Sequence, residues 1–141
     1  MTKYLILKHY RSEKSPSDLP EFEPGQSAPP WDPADWDAHV GYMRDFADRL
    51  RESGEFVAEA ALVFDGVWVQ YDAPGKPPIT DGPFAETKDV VAGWMMIDVD
   101  SYDRALELTA ELSAAPGPGG APLREWLELR QVMGASPMTA E

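Results

Sequence analysis

The run Val90-Val91-Ala92-Gly93-Trp94-Met95-Met96-Ile97-Asp98-Val99 carries one charged residue and is otherwise apolar or glycine. A segment that is apolar at both alternating sets of positions is a strand buried on both faces, and so a central strand. Such a strand needs a partner on each edge and cover on each face. Four further segments have the β-branched and aromatic content of strands. They are Lys3–Tyr10, Phe56–Phe64, Val67–Tyr71 and Trp126–Met133. Asp65-Gly66 predicts a two-residue hairpin joining the second to the third, and Pro74-Gly75 predicts the next turn.

Two helices separate these strands. Asp32 is placed to cap the first, Pro33 suits its first position, and Asp35 favours its positive end. Trp36, Val40, Met43, Phe46 or Ala47, and Leu50 recur at helical spacing, and Gly54 marks the stop. Ser101 caps the second helix, with Asp103 in its first turn. Ala105, Leu106, Thr109 and Leu112 form its buried stripe, widened by Leu108. The stretch Ala115-Pro116-Gly117-Pro118-Gly119-Gly120 ends it.

The order strand, helix, hairpin, strand, helix, strand predicts an α+β, ferredoxin-like antiparallel sheet with two helices on one face and an inserted hairpin. The helices leave the other face bare, although Trp94 and Met96 alternate with Met95 and Ile97. A second copy of the chain is the simplest cover, which predicts a homodimer with sheets packed face to face.

A chain of 141 residues supports one core. The expected organisation is a single domain over residues 1–134, a proline-rich loop insertion at 11–31, and a flexible tail at 135–141. The absence of cysteine removes disulfides, thiol catalysis and thiolate metal sites, and fits a cytoplasmic protein. The opening strand is too short for a signal-peptide core, and no apolar run reaches the length of a membrane span. A formal net charge of −13 with scattered basic residues argues against nucleic acid and anionic membranes, and is otherwise the charge of a soluble surface. Two histidines thirty residues apart make poor zinc ligands. Gly117-Pro118-Gly119-Gly120 does not open a helix after a strand, so no nucleotide fingerprint is present. No cofactor is expected.

The segment Thr80-Asp81-Gly82-Pro83-Phe84-Ala85-Glu86-Thr87-Lys88 packs a turn signal, two acids, an aromatic ring and a lysine into one loop. Gly82 and Pro83 set the backbone, and a carboxylate held beside Phe84 is partly desolvated, which suits acid–base work. The plainer reading is an Asp81 that bonds its own turn. His39 falls on the edge of the first helix's apolar stripe. There it is either a proton shuttle or a core-edge histidine with one satisfied nitrogen. His9 reads as a surface residue. Glu86 and Lys88 form a charge pair that locks the loop, or Lys88 recruits an anion. Arg130 either clamps a carboxylate or pairs across strands. Trp68, Trp94 and Trp126 fall on strands and read as core or dimer packing.

The string Asp81–Lys88 followed by Gly93-Trp94 resembles the YCII-related family, in its DGPF subgroup. Lys3–Leu7, His39-x-x-Tyr42-Met43, Gly54-Glu55-Phe56-Val57, Ala105-Leu106 with Pro116, and Glu128–Met133 agree with it in order. The resemblance implies a dimeric ferredoxin-like α/β-barrel with a cleft near the sheet interface. Most members have no assigned activity. Some relatives are thought to use a His–Asp pair, and a few are linked to dehalogenation or lactone chemistry. DGPF members are associated with extracytoplasmic-function sigma factors. His39 matches the family histidine, but the region of its acidic partner offers Glu55 and Glu59 here, and no Asp.

Two functions follow as expectations. One is a cofactor-free acid–base enzyme for a small anionic or aromatic molecule, with His39 and Asp81 catalytic and Lys88, Arg130 and Glu86 binding substrate. The other is a non-catalytic ligand-binding or regulatory module, with a sigma factor as partner through the family association. A third reading makes the loop motif a device for folding and dimerisation.

Overall fold

The protein is described here by a computed structural model covering residues 1–10, 31–63, 66–82 and 90–134. The expectations for residues 11–30 of the 11–31 insertion, the 135–141 tail, Glu86 and Lys88 lie outside the described residues. The elements run β1 (Thr2–Tyr10), α1 (Pro33–Ser53), β2 (Phe56–Ala61), β3 (Trp68–Gln70), β4 (Ile79–Asp81), β5 (Val90–Val99), α2 (Tyr102–Ser113), a 3-10 turn (Pro118–Gly120) and β6 (Leu127–Gln131). The main sheet has the order β2-β5-β1-β6, antiparallel throughout. β5 therefore has a partner on each edge, as its apolar run demands. This is a ferredoxin-like α+β fold with a hairpin inserted between β2 and β5.

Both helices pack on one face. Tyr4 and Ile6 of β1 join Met95, Ile97 and Val99 of β5, and these are buried against Phe46, Ala47 and Leu50 of α1 and Ala105, Leu108 and Leu112 of α2. The helix ends follow local chemistry. The Asp32 side chain accepts from the Ala34 N–H at 3.0 Å, and the Ser101 hydroxyl accepts from the Arg104 N–H at 3.1 Å. Gly54 closes α1 in the left-handed region, at φ 79°. In α2 the buried stripe is Ala105, Leu108 and Leu112, whereas Leu106 is exposed. The sheet meets one narrow face, and Leu106 sits about 100° from Ala105 around the helix. The Arg104 guanidinium donates to both Glu55 carboxylate oxygens at 2.9 Å, tying the start of α2 to the α1–β2 turn.

The residues alternating with this core, Leu5 and Leu7 of β1 and Trp94 and Met96 of β5, face the other way in facing pairs. Among the described residues no helix covers them, and they remain partly exposed.

One strand pairing differs from the sequence expectation. β3 does not fold back on β2. It pairs with β4, with Trp68 opposite Asp81 and Gln70 opposite Ile79, as a separate two-stranded sheet. β2 instead gives its edge to β5. β2 ends the four-stranded sheet, and its outer edge carries no strand among the described residues. The reversal falls in the stretch containing Pro74-Gly75, where Gly75 has φ 76°. Gly82 then passes close to the start of this hairpin. At φ 137°, a Cβ at residue 82 would sit 2.9 Å from the Gly66 carbonyl oxygen and from Val67 Cα. Only glycine fits there. Gly82→Ala should loosen the hairpin selectively. Hydrogen exchange should accelerate at Val69, Gln70 and Thr80 while the amides of β1 and β5 keep their protection; unchanged hairpin exchange would contradict this close packing.

Candidate functional site

The core face of the sheet is apolar only part of the way along. In β1 the helix-facing positions are Tyr4, Ile6 and then Lys8. Opposite Lys8 stand Gly93 of β5 and Leu127 of β6. A lysine and a glycine replace two large apolar side chains at this level, so the core opens into a cavity of about 700 Å³ between α1 and the sheet. Its apolar wall includes Trp36, Val40 and Met43 of α1, Met95 of β5 and Leu112 of α2.

His39 lies at its inner end and is 1% exposed. Its Nδ1 is 3.0 Å from the Pro116 carbonyl oxygen. A carbonyl can only accept, so Nδ1 carries the proton and Nε2 keeps its lone pair. Nε2 is 3.5 Å from Lys8 Nζ. The ring stacks on Trp36 at 5.6 Å and meets the edge of Trp31 at 5.2 Å. Burial, and then the positive charge of Lys8, push the imidazole pKa down to about 4, against the opposing pull of the Pro116 hydrogen bond. His39 is neutral at pH 7.

Lys8 pairs with Glu125 at 3.2 Å, and the Glu125 side chain is almost wholly buried. The segment after α2 delivers that carboxylate. Leu123 N–H donates to the Ala115 carbonyl and Arg124 N–H to the Ser113 carbonyl, both at 3.0 Å. Arg124 then takes φ 55°, a left-handed conformation that costs an L-residue about 1 kcal/mol. The Ser113 hydroxyl donates to the Glu125 carbonyl at 2.5 Å. These contacts also fix the strand-like bridge between Pro116 and Pro122, and with it the carbonyl that orients His39.

The outer end of the cavity is charged. Arg51 bonds Asp48 at 2.8 Å, lies 3.8 Å from Glu59, and stacks on Phe56 at 4.2 Å. Arg44 also lines the cavity. The lining holds three cations and three carboxylates, which sets it apart from a chain of net charge −13.

The structure groups His39 with Lys8 and Glu125. Asp81 ends β4 opposite Trp68, is exposed, and is not among the residues lining the cavity. Arg130 stands on β6 opposite Leu5 and is exposed. His9 bonds Glu128 at 3.3 Å. Sequence reasoning missed Lys8 and Glu125. For Lys8 a signal exists, since period-two alternation from Tyr4 and Ile6 puts its side chain on the core face. For Glu125 there is none, because its direction depends on the backbone of Arg124. Among the described residues no group of His, Asp or Glu is arranged to hold a metal ion, and no helix is long and apolar enough to cross a membrane.

The YCII-related domain matches residues 2–121, which include β1, both helices and the Pro116 carbonyl. The chain belongs to the YCII-related family. A second similarity is to an uncharacterized protein, R00369, of Rhizobium meliloti (strain 1021), 43% identical over 51 residues. The chain spans less than half of that relative: the match covers 41% of its length and 36% of this chain.

The depressed pKa of His39 has a consequence for stability. The unfolded chain binds the His39 proton near pH 6.5 and the folded chain only near pH 4. The contribution of neutral His39 is therefore complete above pH 6.5 and is lost as pH falls from there to 4, by an amount of about 3 kcal/mol. Denaturant titrations between pH 7 and 4 should show this loss in the wild type and a flatter profile in His39→Gln. Parallel profiles would contradict a buried neutral imidazole.

Proposed function

We propose that this YCII-related protein binds a small anionic or aromatic molecule in the cavity and carries out cofactor-free acid–base chemistry on it, with Nε2 of His39 as the base. The observation that carries this reading is the aimed lone pair. Pro116 fixes the tautomer, Nε2 faces Lys8 Nζ at 3.5 Å, and Glu125 holds Lys8. A substrate oxygen drawn against Lys8 would weaken the charge that suppresses protonation of His39. The base would then gain proton affinity as the substrate arrives, which is when it is needed. The neighbouring ammonium is also placed to stabilise negative charge on a deprotonated substrate. Asp81, exposed on β4, is assigned no step in this chemistry.

A second reading is favoured by one specific observation. An imidazole with a pKa of about 4 is a weak base. The same cavity would serve a ligand-binding or regulatory module, with His39 as a hydrogen-bond acceptor; the sigma-factor association of the DGPF resemblance belongs to this reading.

The test is solvent deuterium incorporation, followed by proton NMR, into a panel of unsaturated and aromatic carboxylates and lactones with acidic C–H bonds. Exchange in the wild type, reduced at least about 100-fold in His39→Gln, supports the enzyme. Binding without exchange supports the module. Absence of both contradicts the cavity as a ligand site.

We also propose that the chain is a homodimer. Leu5, Leu7, Trp94 and Met96 form a half-exposed apolar face on a sheet whose other side packs against both helices, and a second copy would bury it face to face. Sedimentation over a dilution series should give a dimer at micromolar concentration, weakened by Trp94→Glu. A monomer throughout would contradict it.

A further inference from the structure

Resting on the small-molecule reading above, the inference concerns how a ligand is held. Trp36, Val40, Arg44, Asp48 and Arg51 follow one another along α1 at steps of four, four, four and three residues, and all five line the cavity. They form a single helical stripe beside the buried one. The two arginines on it differ. Arg51 is occupied by Asp48, Glu59 and the Phe56 ring. Arg44 is exposed and forms no hydrogen bond or ion pair among the described residues. A guanidinium on a cavity wall without an internal carboxylate, in a chain of net charge −13, is available to an external anion.

We propose that Arg44 is the specificity-determining residue of the cavity and clamps a carboxylate or similar planar anion at one end of the ligand. The other end then lies at His39 and Lys8. Residues 39 and 44 are about 7.5 Å apart along the helix axis at 1.5 Å per residue. Val40 and Met43, which both line the cavity, provide an apolar surface over that interval. The ligand class is therefore an amphipathic acid: an apolar or aromatic body, an anionic group for Arg44, and a polar, proton-bearing atom for Nε2 of His39.

Isothermal titration with 3-(4-hydroxyphenyl)propionate and with its primary amide tests this. The two differ at the end assigned to Arg44 and share the phenol. The wild type should bind the acid about tenfold more tightly than the amide. Arg44→Gln, an exposed substitution that leaves the core untouched, should abolish the preference while keeping the affinity for the amide. Arg44→Lys should restore part of it. Acid preference that persists in Arg44→Gln, or equal affinities in the wild type, overturns the assignment of Arg44 and leaves the cavity reading standing. No binding of either probe overturns both.

Discussion

A lysine ammonium on the core face of a sheet is the constraint on which the rest of this structure turns. Lys8 occupies a position that alternation reserves for an apolar side chain, and its own side chain is only 17% exposed. Taking a charge that far from water costs several kcal/mol unless a counter-charge is held against it. Glu125 supplies that charge, and much of the local architecture serves to bring it there. The backbone bonds between the end of α2 and residues 123–124, the left-handed Arg124 and the Ser113 hydroxyl all act on the same short segment. The same segment fixes the Pro116 carbonyl, so the pairing of Lys8 and the tautomer of His39 depend on one piece of chain.

An arrangement of this kind is hard to explain by stability alone. Well-packed apolar residues at 8 and 125 would remove two desolvated charges. Gly93, opposite Lys8, adds to the open space. Its missing side chain also suits a tight spot, since a Cβ there would lie 3.1 Å from the Ala60 carbonyl oxygen. Polar groups gathered around open space at the edge of a core are the usual form of a ligand site. Aligning an imidazole lone pair with an ammonium is chemically specific, and we propose that the chemistry is the reason for it.

Much of the fold is legible in the sequence. The doubly apolar run of β5, the caps Asp32 and Ser101, the stop at Gly54 and the stripe of α1 are local signals with local causes. The hairpin is where local reasoning fails. Asp65-Gly66 is a good turn pair, but strand pairing depends on partners further along the chain, and β3 pairs with β4 rather than with β2. The site is legible by halves. His39 shows on its helix face, and Lys8 follows from alternation once β1 is placed. Glu125 depends on a backbone angle at an arginine that nothing in its neighbourhood announces. Gly82, which stands in the motif that carries the family resemblance, has a packing explanation in the approach to Gly66 and Val67.

The central claim is that His39 is a neutral imidazole, protonated on Nδ1, with its Nε2 lone pair facing Lys8 inside the cavity. Nitrogen-15 NMR of the histidine side chains across pH 3 to 8 tests it most directly. The account predicts one histidine with the Nδ1–H tautomer at pH 7 that titrates at about 4, lost in His39→Gln and shifted upward in Lys8→Met. A His39 resonance that titrates near the ordinary value of 6.5, or carries its proton on Nε2, would contradict it.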